Sequence, residues 1–270
     1  MNGLNLKDVT FLIPLRIDSV KRLENTLVVV DYLLNHFDTQ VKILEATGRD
    51  TGILKALLPE KVNHYFVEDY DEIFHRTKYI NKLVESCETC FVSVWDADVI
   101  IPISQIEETM RLLRSEEAQF VTPFQDNFLD TSYILRDLYI HTRDINVLIN
   151  HRGKMISLYN PNPVGGVFFA NRKSYIKSGM ENERFYGWGR EDGDRVNRWK
   201  ILGYNHTHVK GLLFHLTHER GINSAFHSPN QIDIKSAELI RTLAMSREEM
   251  EDELGHSGRW NGSEIVVQGE

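Results

Sequence analysis

Short apolar runs alternate with stretches of helical periodicity through the first half of the chain. The runs are rich in β-branched and aromatic residues, which is typical of buried strands. They cover residues 10–15, 41–45, 63–67, 90–95 and 119–122. Between the first two runs, apolar residues recur every three or four positions, as on one face of a helix. This alternation predicts an α/β fold in which helices flank a mostly parallel sheet.

The second half of the chain is less regular. Residues 128–152 have helical spacing, and a segment rich in proline and glycine, residues 160–166, leads into a strand at 167–170. Residues 233–254 carry a few apolar positions among many charges, which predicts a solvent-facing helix followed by a loose tail from residue 255. We therefore expect one domain over residues 1–232, and a C-terminal helix and tail over residues 233–270.

Composition narrows the function classes. The 270 residues carry a formal net charge of −8, which disfavours a nucleic-acid binder because such proteins need clustered lysine and arginine. The sequence contains no leader-like segment at its start and no apolar run of about 18 residues. We expect a cytoplasmic protein without a transmembrane segment, and leave open a peripheral association with the inner face of the membrane. The oligomeric state is not predicted.

The two cysteines, Cys87 and Cys90, form a lone C-x-x-C pair. No second pair completes a tetrahedral metal site. A predicted strand follows Cys90, whereas redox-active cysteines of this spacing precede a helix. Both are therefore expected to be buried thiols between a helix and a strand.

Two aspartates, Asp96 and Asp98, directly follow the run at 90–95. Separated by one residue at a strand end, their carboxylates can point to the same side and bind a divalent cation, with room for a diphosphate. The alternative is a turn in which the aspartates satisfy backbone groups. Their position after a central strand favours the cation site.

Two histidines, His215 and His218, follow an apolar run at 211–214. On a continuous strand the two rings would lie on opposite faces, so the chain must bend if both serve one site. Imidazole favours manganese or zinc over magnesium. His218 is the preferred ligand and His215 the second; the alternative is that one of them only donates a hydrogen bond near the site.

Residues 185–194 combine an aromatic loop with an acidic cluster. Glycines flank Trp188, which allows a tight loop that presents an aromatic face to a sugar ring. Glu191, Asp192 and Asp194 follow at a predicted helix start, where the helix dipole favours ionised carboxylates. One of them could act as a general base, and the spacing does not choose among the three.

These blocks resemble, in the same order, the β-1,4-galactosyltransferases and their GT-A relatives, including bacterial capsule-type and chondroitin-polymerising glycosyltransferases. Residues 11–16, FLIPLR, are similar to the family's first strand, I-I-P-F-R. Residues 74–81, FHRTKYIN, are similar to its F-N-R-A-K-L-L-N helix near the donor diphosphate. The resemblance implies a Rossmann-like GT-A fold for nucleotide-diphospho-sugar transfer, with Arg16, Arg76 and Lys78 around the nucleotide phosphates.

The metal-binding motifs of that family have counterparts in this sequence. Asp96 and Asp98 stand where the family has D-V-D, whose second aspartate binds the metal. The resemblance therefore implies Asp98 as a ligand, with Asp96 beside the substrate. His215 and His218 fall on the family's M-x-x-H, in which both residues are ligands, so a histidine here replaces the methionine.

The most specific block spans residues 165–192 and matches G-G-V and G-W-G-G-E-D-D-D. By resemblance, Asp192 is the base that takes the proton of the acceptor hydroxyl. Glu191 would contact the acceptor or donor sugar, and Gly166 and Trp188 would border the substrate. An arginine at 190 replaces a family glycine and a glycine at 193 replaces an acid, so the transferred sugar cannot be carried over by analogy.

The sequence therefore predicts a metal-dependent inverting glycosyltransferase that uses Mn²⁺ or Mg²⁺. Its donor would be a UDP-hexose or UDP-N-acetylhexosamine and its acceptor a glycan hydroxyl, as in bacterial polysaccharide or capsule synthesis. Glu45, at the end of the second predicted strand, is a further candidate contact to uridine or ribose. Two alternatives are a sugar-phosphate nucleotidyltransferase, although residues 16–19 lack the expected glycine, and a non-catalytic carbohydrate-binding protein.

Overall fold

The computed structural model describes residues 3–159, 163–226 and 228–255. Within these residues the strands are β1 (Leu4–Leu15), β2 (Phe37–Thr47), β3 (Val62–Glu68), β4 (Phe91–Trp95), β5 (Val99–Ile100), β6 (Phe120–Thr122), β7 (Asn127–Asp130), β8 (Ile156–Leu158), β9 (Val167–Asn171), β10 (His206–His208) and β11 (Leu212–His215). The helices are α1 (Val20–His36), α2 (Ile53–Leu57), α3 (Arg76–Glu85), α4 (Ile103–Arg114), α5 (Tyr133–Thr142), α6 (Ile145–Asn150), α7 (Arg172–Lys177), α8 (Glu191–Ile201), α9 (Pro229–Leu243) and α10 (Arg247–Leu254).

Seven strands form the central sheet in the order β10-β6-β9-β4-β1-β2-β3. Neighbouring strands are parallel except around β9, which runs antiparallel to both β4 and β6. A smaller sheet has the order β5-β11-β7-β8. The predicted mixed α/β architecture with a mostly parallel sheet is confirmed.

The apolar alternation of β1 explains how the sheet is covered on both faces. Phe11 and Ile13 belong to the larger apolar cluster, whereas Leu12 between them belongs to the other cluster. In the larger cluster Phe11 meets Trp95 edge to face, with ring centroids 5.4 Å apart. In the other, Trp199 of α8 stacks on Phe120 of β6 at 3.9 Å. Large aromatic rings are thus buried on both faces, and the stack of Trp199 on Phe120 holds α8 against one of them.

One edge of the central sheet collects the ends of the strands that matter for chemistry. Asp96 follows the carboxyl end of β4, and Arg16 follows that of β1. Because β9 is antiparallel, its amino end lies at the same edge, and Asp96 N donates to Gly166 O at 2.9 Å. Ligands of such sheets bind at this edge.

Three predictions of local structure need correction. The segment predicted to be helical at 128–152 contains β7 before its helices, and the single helix predicted at 233–254 is two helices, α9 and α10. α10 begins with a capping box in which Ser246 and Glu249 bind each other's backbone N–H. Cys87 is buried as expected, but Cys90 is exposed.

The predicted loose tail lies outside the described residues, apart from Gly255. The division of the chain at residue 232 stays a prediction. No helix in the described ranges has the length and apolar character needed to cross a membrane.

Candidate active site

A cavity of about 530 Å³ opens at the carboxyl edge of the central sheet. Ten of the residues predicted from the sequence line it, namely Arg16, Arg76, Asp96, Asp98, Gly166, Trp188, Glu191, Asp192, His215 and His218. They lie at or next to strand ends of both sheets, at the start of α3, and at or just before the start of α8. The fold therefore gathers residues that are up to about two hundred positions apart in the chain into one space.

Asp98, His215 and His218 form a compact group of potential metal ligands. All three are buried, and one ligand atom from each lies within 4.8 Å of the others. Asp98 Oδ2 lies 3.1 Å from His218 Nε2, and Asp98 Oδ1 lies 3.6 Å from His215 Nε2. The group exists because Leu216 N donates to Asp98 O at 2.7 Å, which joins β11 to the turn after β4.

Each imidazole is oriented by a hydrogen bond at its other nitrogen. His215 Nδ1 lies 2.8 Å from Asp130 Oδ1, and His218 Nδ1 lies 2.7 Å from Glu219 O. Both Nε2 atoms therefore face Asp98, the arrangement found where a second group fixes the tautomer of a metal-binding histidine. One carboxylate and two imidazoles suit a divalent transition metal, so the donor set fits the predicted Mn²⁺ better than Mg²⁺.

The charges in this group reinforce one another. Burial alone would raise the pKa of Asp98, but the imidazoles of His215 and His218 hold it well below its ordinary value. Burial opposes a charged imidazole, yet the carboxylates of Asp98 and Asp130 raise the pKa of His215 to about 9. The group thus stabilises positive charge beside Asp98.

The sequence did not single out Asp130 or Arg22. Asp130 pairs with His215 in the register of β7 and β11. Because residues 128–152 were predicted to be helical, this strand pairing was not expected. Arg22 lines the cavity, with its Nη1 at 3.9 Å from Asp98 Oδ2 and its Nε donating to Asp18. It lies on α1 but is not one of the apolar positions of that helix, so the periodicity did not indicate it.

Arg76 and Glu191 bring unsatisfied polar atoms to the cavity. Arg76 Nη2 donates to Asp96 Oδ1 at 2.6 Å. Within the described part of the chain, Arg76 Nη1 and Glu191 Oε2 are buried and have no hydrogen-bond partner. Burial, together with the charge of Asp192, raises the pKa of Glu191 to about 7. Buried polar atoms without partners are costly, so both atoms are suited to meet a bound ligand.

Asp192 is held at one oxygen, and its side chain is partly exposed. Its Oδ1 accepts a hydrogen bond from Arg195 Nη2 at 2.6 Å, and 29% of its side chain is exposed. A β-carbon added at Gly165 would lie 2.5 Å from Asp192 Oδ2. Glycine at 165 therefore leaves room for this oxygen in the cavity, where both residues contribute to the lining.

The loop before α8 carries Trp188 on a backbone that uses positive φ angles. Gly187, Gly189 and Arg190 have φ values of 76°, 103° and 77°, and a β-carbon at Gly189 would lie 2.9 Å from the ring of Phe226. Trp188 meets Phe226 edge to face at 5.3 Å. Lys235 of α9 is 2% exposed and donates to Trp188 O at 2.6 Å. The glycines thus permit this backbone conformation, and Lys235 of α9 and the ring of Phe226 hold the loop in place.

Arg16 lines the cavity, but its hydrogen bonds go to neighbouring protein segments. Its guanidinium binds Asp69 Oδ2 at 2.5 Å and the carbonyls of Ala46, Asp71 and Glu72. It also lies over the ring of Phe74, which lines the cavity. These contacts fix the segment after β3.

Glu45 and Lys78 are not brought to the cavity lining. Glu45 Oε2 lies 3.0 Å from His64 Nε2 on the neighbouring strand β3, and both side chains are buried. Lys78 follows Arg76 by two positions on α3, and residues two apart lie on different faces of a helix. Since Arg76 faces the cavity, Lys78 faces elsewhere.

Comparison with known proteins places the chain near glycosyltransferases. Residues 152–220 match a family model described as the N-terminal domain of galactosyltransferase. The catalytic domain of Drosophila β1,4-galactosyltransferase 7, solved with xylobiose, is similar in structure with a TM-score of 0.51 and 13% identity, over 86% of this chain and 79% of that one. The chain has the GT-A glycosyltransferase fold. The resemblance predicted from the motifs is thereby confirmed.

A second GT-A structure gives the same picture. Glucosyl-3-phosphoglycerate synthase from Mycobacterium tuberculosis, solved with Mn²⁺, UDP-glucose and phosphoglyceric acid, has a TM-score of 0.51 and 15% identity, over 87% of this chain and 78% of that one. Among curated protein sequences, none matches this chain significantly. The family model covers the part of the GT-A fold that contains Trp188, Asp192 and the two histidines, whereas Asp98 lies outside it.

Proposed function

We propose that this GT-A protein is a metal-dependent inverting glycosyltransferase with a UDP-sugar donor and a glycan hydroxyl as acceptor. The proposal rests on one observation: a potential cation site and a carboxylate that could act as a base line the same cavity. Asp98, His215 and His218 form a potential cation site, and the carboxylate of Asp192 lines the same cavity. A nucleotide sugar needs both a site for its diphosphate and a base for the acceptor.

Asp98, His215 and His218 would hold a divalent cation, for which we favour Mn²⁺. The neighbour from Mycobacterium tuberculosis was solved with Mn²⁺ and UDP-glucose, which is consistent with this choice. When bound, the ion would act as a Lewis acid that offsets the charge of the leaving diphosphate. Arg76, whose Nη1 is free of protein partners in the described residues, would donate to a phosphate oxygen.

The acceptor would bind between Trp188 and the start of α8. Trp188 offers an aromatic face to a sugar ring, and Glu191 Oε2 offers a hydrogen bond to a sugar hydroxyl. Asp192 Oδ2 would take the proton of the attacking hydroxyl while that oxygen bonds to the anomeric carbon. The bond from the anomeric carbon to the UDP oxygen breaks on the opposite face, so UDP leaves with the electron pair and the configuration inverts.

We further propose that the acceptor is part of a polysaccharide, as in bacterial capsule synthesis. Support comes from the open cavity with Trp188 on its wall and from the Drosophila neighbour, which was solved with the disaccharide xylobiose. The donor sugar is to be found by experiment.

The direct test is a donor and acceptor panel. UDP-glucose, UDP-galactose, UDP-glucuronate, UDP-xylose and the two UDP-N-acetylhexosamines would each be incubated with Mn²⁺ and glucose, xylose or N-acetylglucosamine. We expect release of UDP that EDTA abolishes. NMR of the product should show an anomeric configuration opposite to that of the donor. In a parallel incubation with UTP and sugar 1-phosphates, release of pyrophosphate would instead identify a nucleotidyltransferase, and sugar binding without turnover in either incubation would identify a carbohydrate-binding protein.

The role of Asp192 is tested by Asp192→Asn. The amide cannot accept the proton, so kcat should fall by about 10²- to 10⁴-fold. The affinity for UDP with Mn²⁺, measured by calorimetry, should stay within about threefold because the base does not touch the nucleotide in this proposal. Near-normal turnover would assign the base to another residue.

A further inference from the structure

A buried arginine links Asp192 to the protein core. Arg195 lies one helical turn after Asp192 on α8, and its side chain is 1% exposed. Its Nη2 donates to Asp192 Oδ1 at 2.6 Å, and its Nη1 donates to both oxygens of Glu181 at 2.9 Å. One guanidinium therefore binds two carboxylates, of which only that of Asp192 reaches the cavity lining.

The groups on the core side of Arg195 are held by hydrogen bonds and by burial. Glu181 is fully buried and accepts a hydrogen bond from Tyr175 Oη at 2.5 Å. Its backbone exchanges two hydrogen bonds of 2.9 Å with the side chain of Asn81 on α3. The guanidinium carbon of Arg195 lies 4.1 Å from the centre of the Phe168 ring on β9. A planar group stacked on a ring and fixed at one end by a carboxylate has one orientation to offer to Asp192.

The charges that face Asp192 come from three parts of the fold. Arg195 and Glu191 lie on α8, Arg76 lies on α3 and Asp96 follows β4, and each interacts electrostatically with Asp192. Two cations thus oppose two acids around this carboxylate. Loss of Arg195 would leave Arg76 alone against Glu191 and Asp96, and Arg76 already binds Asp96.

We propose that Arg195 is a positioning residue for sugar transfer. It binds Oδ1 of Asp192 so that Oδ2 stays directed into the cavity, and it holds a positive charge 2.6 Å from this carboxylate. This inference rests on the proposed function, because it takes Asp192 as the base. It adds a residue that does not touch the substrate, and it predicts that Tyr175, Glu181 and Phe168 act through Arg195.

The test compares Arg195→Met and Arg195→Lys with the wild-type chain, using the donor and acceptor from the panel above that the wild type turns over. Arg195→Met should lower kcat by about 100-fold or more, as expected when a general base is lost in part. The donor KM and the UDP affinity should stay within about threefold, since Arg195 is remote from the nucleotide. The acidic limb of the pH–rate profile should move to higher pH by about one unit.

Arg195→Lys keeps the charge but loses the fork that binds two carboxylates at once. The pH–rate profile of Arg195→Lys should lie closer to that of the wild type than the profile of Arg195→Met does, while its kcat stays about tenfold below the wild-type value. Arg198→Lys is the matched control, since Arg198 is equally buried on α8 but binds Asp194 and the carbonyls of Ser178 and Met180. It should lower the melting temperature without moving the pH–rate profile.

The outcomes separate this inference from the proposed function. A folded Arg195→Met variant with wild-type kcat and pH profile would overturn the role of Arg195 alone. If that variant does not fold, Arg195→Lys decides, and an unchanged kcat would overturn the positioning role. A wild-type chain that neither binds UDP with Mn²⁺ nor turns over any donor of the panel would end the proposed function, and this inference with it.

Discussion

Gly165 offers the sharpest test of where the base lies. Because real β-carbons essentially never come within 3.0 Å of another atom, a β-carbon placed 2.5 Å from Asp192 Oδ2 must displace that oxygen or be displaced itself by roughly half an ångström. Gly165 does not have a positive φ, so alanine is compatible with the backbone. Gly165→Ala therefore moves the proposed base without changing its chemistry or the general fold.

The expected loss follows from the size of that shift. A misplacement of about 1 Å can cost about 100-fold in rate, so a shift of half that size should lower kcat by roughly 10-fold or more. Asp192 Oδ1 is held by Arg195, so the side chain cannot rotate away without losing that bond. The affinity for UDP with Mn²⁺ should not change, because Gly165 adjoins the acid and not the metal group.

Gly193→Ala is the matched control for this experiment. Gly193 is next to Asp192 on α8 and lines the same cavity, but a β-carbon there would have no heavy atom of the protein within 4 Å. It should keep kcat and stabilise the helix by about 0.5–1 kcal/mol, seen as a higher melting temperature. Wild-type kcat in Gly165→Ala would refute the position of the base, and an equal loss in both variants would mean that α8 as a whole had moved.

Three further outcomes are expected. Asp130→Asn should weaken Mn²⁺ binding by about 10- to 100-fold, because it removes the carboxylate that orients His215; calorimetry with Mn²⁺ alone measures this, and an unchanged affinity would remove Asp130 from the site. Asp98→Ala should weaken Mn²⁺-dependent UDP binding at least as strongly, and equal affinity with and without Mn²⁺ in the wild type would exclude the cation site. Since the folded-state pKa of Glu191 is raised from 4.5 to about 7, its contribution to stability is fully present below pH 4.5 and is lost as the pH rises to about 7. In urea denaturation, the free energy of unfolding of the wild type should therefore fall with rising pH in this window, by up to about 1.4 kcal/mol per pH unit. The free energy of unfolding of Glu191→Gln should lack this fall, and parallel curves for the two proteins would refute the raised pKa.

The fold was largely predictable because short local patterns in the sequence mark most strands of the central sheet. Strands β1, β2, β3, β4 and β6 each contain a short apolar run that the sequence shows locally, and β1 and β4 end directly before Arg16 and Asp96. The motifs at the strand ends could therefore be placed at one edge of the sheet. The resemblance to galactosyltransferases then singled out Asp98 and Asp192 among several acids.

Contacts between distant segments were less predictable. Asp130 lies in a four-residue strand of mixed polarity, and its value depends on pairing with β11, which no local pattern indicates. Arg195 lies in a charged helix segment, and only the folded chain shows that it is buried between Glu181 and Asp192. Glu45 is on the predicted strand, but its partner is the neighbouring His64.

The contact between Lys235 and the carbonyl of Trp188 has a practical consequence for anyone shortening this chain. A protein cut after residue 232 would keep every group that lines the cavity but lose the buried ammonium that ties down the tryptophan loop. It would also lose Thr242, whose hydroxyl donates to Asp194 at the start of α8. Expression of residues 1–232 alone should thus yield a less stable protein, and α9 is best kept in any shortened version.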